Sequence, residues 1–265
     1  MEMPSTSIEN APPVESAIDY IPSEDLTPLS DPDTQIQGLL ESLNSKDWIK
    51  VCESLNHTRR LALYHPTLLI PFLEPVMVVL VKAMKNPRSA LCKTSIMAAA
   101  DVFVAYRDKM LEDTLTAAFD SLLLQLLLKA SQDKKFVCEE ADKTLHSMVQ
   151  SLSPLPLLQS LQKYARHNNP RIRAKAAVSI SNCVSRMNFK DLQEFGLVPL
   201  IQVAANLLND RLPEAREAAR SITWSVYKSF TENEEDKTQE SWLNFCESNL
   251  PALHGQSIIK ITTTN

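Results

Sequence analysis

Five short segments repeat one pattern along the chain: DWIKVCESL (47–55), NPRSALCKTS (86–95), DKKFVCEEA (133–141), NPRIRAKAA (169–177) and DRLPEAREAA (210–219). Each opens with Asp or Asn, passes through a short turn carrying Lys or Arg, and starts a helical pattern at an apolar anchor. The anchors, Val51, Leu91, Val137, Ile172 and Ala215, are spaced by 40, 46, 35 and 43 residues. A period near 40 is the signature of stacked helical pairs, in which no unit buries its apolar face alone. Four residues past each anchor stand Leu55, Ser95, Ala141, Ala176 and Ala219, mostly small, where one helix can pack closely on its partner. The repeat predicts an all-α chain built as an α-solenoid of about eleven helices.

Glycine usage points the same way. The chain has three glycines in 265 residues, Gly38, Gly196 and Gly255. Phosphate-cradling loops, dinucleotide fingerprints and nucleophile elbows all need closely spaced glycines, so none can be built. Between the anchors, the 3.6-residue apolar pattern places the first helix of each pair at about 34–43, 67–84, 113–131, 153–166 and 190–208. Pro66, Pro71, Pro154 and Pro199 fall near the starts of these helices, where a missing N–H costs least. The run SLLLQLLLKA (121–130) is apolar nearly all round, as expected of a helix in the middle of a stack.

Residues 1–33 hold six prolines among acidic and hydroxyl residues and read as a disordered tail. Order is expected from 34 to 230, followed by an acidic linker, a short capping helix at 238–249 and a flexible end. Charge divides along the same lines. Residues 1–45 carry nine acidic side chains and no Lys or Arg, whereas 46–230 hold 25 Lys and Arg against 17 Asp and Glu. A basic body between acidic ends suits an acidic partner, which the ends could screen. The five cysteines form no pair at metal-ligand spacing, and Cys52, Cys92 and Cys138 share the position after an anchor, which assigns them to the repeat core. Unpaired thiols and the absence of an apolar leader suggest a cytoplasmic protein with no membrane span.

The five Asp- or Asn-led turns, each followed by a helix of V-R-x-x-A type, resemble HEAT repeats and give the solenoid a HEAT/ARM-like character. Asp47-Trp48 in the first turn, DKKFVCEEADKTLHSMV (133–149) and NNPRIRAKAA (168–177) are similar to TOG domains of the CLASP and crescerin branch. The resemblance covers residues 34–230. It implies a flat paddle that binds the tubulin dimer or the microtubule lattice along one narrow edge, in the cytoplasm and cytoskeleton, without catalysis, cofactor or metal. Carried onto this chain, the implied tubulin-binding residues are Trp48 in the first loop, Arg88 and Ser89 in the second, Lys134 and Lys135 in the third, Asn169 and Arg171 in the fourth and Arg211 in the fifth. Cys52 departs from the basic residue common in related first repeats, and one domain stands where polymer-promoting relatives carry several. Independently of the resemblance, side chains at one turn of successive repeats must align on one edge of a stack.

Other assignments compete for the same residues. Trp48 could instead seal the first repeat, and the loop cations could be ordinary solvated turns. Arg173 and Arg216 are expected to pair with Asp or Asn of their own or a neighbouring turn. The five histidines form no H-E-x-x-H, no nucleophile context is present, and no small-molecule substrate is implied. Nucleic acid fits poorly, because the cations are not interleaved with stacking aromatics. The alternative function is an ARM/HEAT adaptor holding a peptide on its concave face, but Trp48, Trp224 and Trp242 do not recur with the repeat as such grooves require.

Overall fold

The computed structural model describes residues 20–232 and 239–263. Among these, no strand occurs, and fifteen α-helical segments form a single stack. The second helices of the five pairs are α3 (Trp48–Tyr64), α6 (Ser89–Tyr106), α8 (Lys135–Ser151), α10 (Pro170–Arg186) and α13 (Pro213–Thr231), each starting within the turn named by the repeat. The first helices are α1 and α2 (Pro32–Gln37, Leu39–Leu43), α4 and α5 (Pro66–Leu69, Leu73–Met84), α7 (Thr116–Ala130), α9 (Pro154–Gln162), and α11 and α12 (Phe189–Phe195, Leu197–Leu207). Three of the five are broken in two, which accounts for most of the excess over eleven. Local sequence explains two of the breaks. Pro71 forces a 3-10 turn at Ile70–Phe72, while Gly196 adopts φ +97° between α11 and α12, where an added Cβ would also crowd the Pro199 ring at 3.3 Å.

Packing follows the apolar pattern. The α3 helix lies on α6, α6 on α8 and α10 on α13, with α5, α7, α9 and α12 backing them. In α7, Leu122, Leu123, Leu126 and Leu127 are fully buried and Gln125 and Lys129 nearly so, as its all-round apolar character requires. Two stretches, Pro66–Met84 and Ser89–Leu111, are long and apolar enough to cross a membrane. Their apolar sides face neighbouring helices: Val76, Met77, Leu80, Ile96, Val102 and Phe103 are among the least exposed residues of the chain.

The ordered body extends past both expected boundaries. Residues 20–31, expected to belong to the tail, lie against α3 and α6. Leu26 and Leu29 are buried, Ser23 Oγ donates to Asp101 Oδ1 at 2.6 Å, and Tyr64 Oη donates to the Leu26 carbonyl at 2.5 Å. At their centre Arg59, 1% exposed, forms an ion pair with Asp101 at 2.6 Å and donates to the Ile21 carbonyl at 2.8 Å. Two leucines and a buried guanidinium outweigh the Pro-rich composition of this segment. The rest of the expected tail, 1–19, lies outside the described residues, as does most of the acidic linker. At the other end, α14 (Gln239–Asn249) is joined by α15 (Ala252–Thr263) where a flexible end was expected. The pair closes the stack on α12 and α13, with Trp242 buried among Tyr227, Phe230 and Phe245.

Of the three thiols at the shared repeat position, Cys52 and Cys92 sit in the core as expected, whereas Cys138 is half-exposed. Cys52, Cys92, Cys183 and Cys246 are buried and all five are free. Burial pushes Cys52 up to about 11 and Cys183 and Cys246 up to about 12 from an ordinary value of 9.0. Alkylation of the native chain at pH 8 should therefore spare these three and begin at the half-exposed Cys138, as read by mass spectrometry. Since the unfolded thiols ionise near 9 and the folded ones only above 11, stability should fall as pH rises through this window. Rapid labelling of Cys183 in the native chain would contradict its burial.

Candidate binding edge

The recurrence of Asp or Asn at the head of each segment has a local cause. Asp47 Oδ1 accepts from the backbone N–H of Ile49 at 2.9 Å, Asn86 Oδ1 from Arg88 at 2.9 Å, Asn169 Oδ1 from Arg171 at 3.0 Å and Asp210 Oδ1 from Leu212 at 2.9 Å. Each turn reverses the chain through a side chain that mimics backbone and releases it into a second helix. At the third turn the carboxylate is used across repeats instead: Asp133 Oδ1 accepts from Arg171 Nη1 at 2.6 Å. The five turns thus set five helix N-termini side by side on one edge.

Contacts between neighbouring turns show that the edge is continuous. The Arg88 guanidinium carbon lies 5.6 Å from the centroid of the Trp48 ring, joining the first and second loops. Lys134 Nζ donates to Ser89 Oγ at 3.1 Å, joining the second and third. Arg171 joins the third and fourth through Asp133 and the Ser131 carbonyl. The fourth and fifth are joined by Arg173, whose Nε lies 2.5 Å from the buried Asp210 carboxylate, while Arg216 Nη1 donates to the Asp210 carbonyl at 2.8 Å. Both arginines therefore serve the fold, as expected from their position.

The candidate residues differ in what they can offer. Trp48 is the first residue of α3 and is half-buried, lining a cleft with Leu43, Val51, Val79, Ala83 and Leu91. The ring packs against the core of the first repeat and also meets the Arg88 guanidinium. Arg88, Lys134, Lys135 and Arg211 are exposed. Lys135 is 87% exposed and has only a 3.8 Å approach to Glu139, which leaves its charge nearly undiminished. Arg171 is exposed but shares its charge with Asp133, and Asn169 is engaged as a cap, so each of these two also shapes its loop. Ser89 opens α6 and holds Lys134. Phe136, not singled out from the sequence, stands exposed directly after Lys134 and Lys135. Its signal was available: an aromatic preceding the apolar anchor Val137 has no core position left to fill.

These N-termini carry partial positive charge, and the cations beside them add to it. No cluster of His, Cys, Asp or Glu among the described residues could hold a metal. The edge can anchor an apolar group beside carboxylates on a partner.

Comparison with known proteins decides the family. Residues 61–244, more than half of the chain, match the family model described as CLASP N terminal. The chain belongs to this family. Among relatives of the CLASP N terminal chain, TOG array regulator of axonemal microtubules protein 1 of Mus musculus is 29% identical over 208 residues, covering 76% of this chain and 11% of its own length. The chain therefore spans about a tenth of that relative. Among solved structures, the TOG domain of C. elegans Zyg9 superposes with a TM-score of 0.61 at 16% identity, covering 95% of this chain and 93% of that one. A chain from the structural study of microtubule plus end tracking by XMAP215, CLIP-170 and EB1 reaches a TM-score of 0.63 at 17% identity, with 90% and 94% covered. These likenesses show the fold of a TOG domain in this family member.

Proposed function

We propose that this chain is a non-catalytic tubulin-binding module of the cytoplasmic microtubule cytoskeleton, acting through the edge made by the loops within its helical pairs. The observation that carries the reading is the row of Trp48, Arg88, Lys134, Lys135, Arg171 and Arg211 at five helix starts whose turns are joined by the Trp48–Arg88, Lys134–Ser89, Arg171–Asp133 and Arg173–Asp210 contacts. A row of this kind offers an aromatic surface for an apolar socket and cations for surrounding carboxylates, the usual division between anchor and electrostatic surround. The mouse relative is named for the regulation of axonemal microtubules, which supports the same partner. A peptide held against the second helices meets an obstacle, because residues 20–29 already cover α3 and α6. Gel filtration with unpolymerised tubulin, beside co-sedimentation with microtubules, tests the proposal. Co-elution or co-sedimentation is expected, and failure of both would reject it.

A further inference from the structure

Among the described residues, eight large apolar side chains are exposed, and three of them are aromatic: Tyr20, Tyr64 and Phe136. The two tyrosines are used within the fold, Tyr64 through its hydrogen bond to Leu26 and Tyr20 through the Lys93 ammonium 4.6 Å from its ring. Phe136 is different. It is 43% exposed, and none of the ring or cation contacts of the described residues engages it. It lies in the first turn of α8 directly after two exposed cations, in the loop that reaches back to Ser89 and forward to Arg171. The remaining exposed apolar residues, such as Val78, Val104 and Val178, lie within helices rather than at the five turns.

We propose that Phe136 is a second apolar anchor of the edge, inserted into a carboxylate-rimmed apolar socket on the same partner that takes Trp48. This rests on the tubulin reading given above. Three observations carry it. The exposed part of the Phe136 ring gains nothing for the free chain, whereas at the centre of an interface it releases its hydration. Lys134 and Lys135 directly precede it in sequence, so a complementary site must place carboxylates beside the socket. Trp48 is the first residue of α3 and Phe136 the second of α8, in the first and third repeats, which puts an aromatic at two turns of one edge with Arg88 in the second loop between them. Two rigid anchors separated by a fixed number of repeats fix the angle of the edge on its partner as well as its position. A single aromatic leaves that angle to the screened charges.

The test is tubulin binding by Phe136→Ala and Phe136→Leu beside the parent chain and Trp48→Ala, with dissociation rates and melting temperatures measured for all four. Phe136→Ala is expected to weaken binding by roughly 10-fold or more, mainly through faster dissociation, with an unchanged melt. Phe136→Leu should recover part of the loss, because the socket reads apolar volume. Normal binding by Phe136→Ala, while Trp48→Ala binds weakly, would overturn the second anchor and leave the tubulin reading standing. A parent chain that does not bind tubulin would overturn both. A Phe136→Ala chain that melts early, and whose folded fraction binds normally, would make the ring a structural residue and also overturn the inference.

Discussion

Replacing Arg59 by Ala is expected to destabilise the folded chain by about 3–5 kcal/mol, because it leaves the Asp101 carboxylate buried without its partner. Arg59 is 1% exposed and gathers Asp101, the Ile21 carbonyl, Ser23 Oγ and Asn56 Oδ1 around one guanidinium. It ties α3 to α6 and the N-terminal segment to both. Lysine cannot replace it, since a single ammonium cannot point along all of these directions. Removal of residues 1–31 should act in the same direction, by uncovering Arg59 and losing the burial of Leu26 and Leu29. Removal of residues 1–19 leaves those contacts in place. Urea unfolding of the three variants measures the differences. An Arg59→Ala chain within about 1 kcal/mol of the parent would mean that this network lies outside the cooperative fold.

Trp242→Ala should cost about 3–5 kcal/mol as well, through the cavity left among three aromatic rings. The indole stacks on Phe245 with ring centroids 5.4 Å apart, and packs on Tyr227 at 5.1 Å and Phe230 at 5.3 Å. Its Nε1–H donates to Thr262 Oγ1 at 3.0 Å, so the substitution also removes a hydrogen bond between α14 and α15. Because α14 and α15 meet the stack only at its end, the loss should appear first as faster hydrogen exchange in α12, α13 and α15. Exchange unchanged in these helices would show that the C-terminal pair does not hold the end of the stack closed.

The helical pairs were legible because each repeat spells its own boundary: an Asp or Asn turn, then an apolar anchor. All five second helices begin inside the segments that define the repeat. The boundaries of the body were not legible. The segment around Leu26 is held by Arg59 and Tyr64, residues some 38 positions away, and composition registers its prolines and carboxylates but not those partners. Likewise α15 contributes Ile258 and Thr262 to a socket made by other helices. The edge was legible as a row, since a shared repeat position becomes a shared edge on stacking. What each residue offers was not. That Arg171 is shared with Asp133 and that Lys134 turns to Ser89 depend on contacts 38 and 45 residues apart in sequence. Phe136 escaped notice although the sequence held its signal, an aromatic beside the anchor Val137, which fills the core position.

The affinity of a Trp48→Ala, Lys134→Ala, Lys135→Ala chain for unpolymerised tubulin at low salt, set beside that of the parent, tests the edge most directly. The two kinds of contact should separate in the kinetics. Loss of the lysines should slow association, by an amount that shrinks as salt rises, while loss of the indole should speed dissociation with little dependence on salt. Because Trp48 is half-buried, the melt of the variant must be measured alongside, and affinity referred to the folded fraction. The expected result is a folded variant that binds on the order of 100-fold more weakly than the parent, the sum of a lost anchor of about 2 kcal/mol and of smaller charge contributions. A folded variant that binds tubulin as tightly as the parent at low salt would contradict the account.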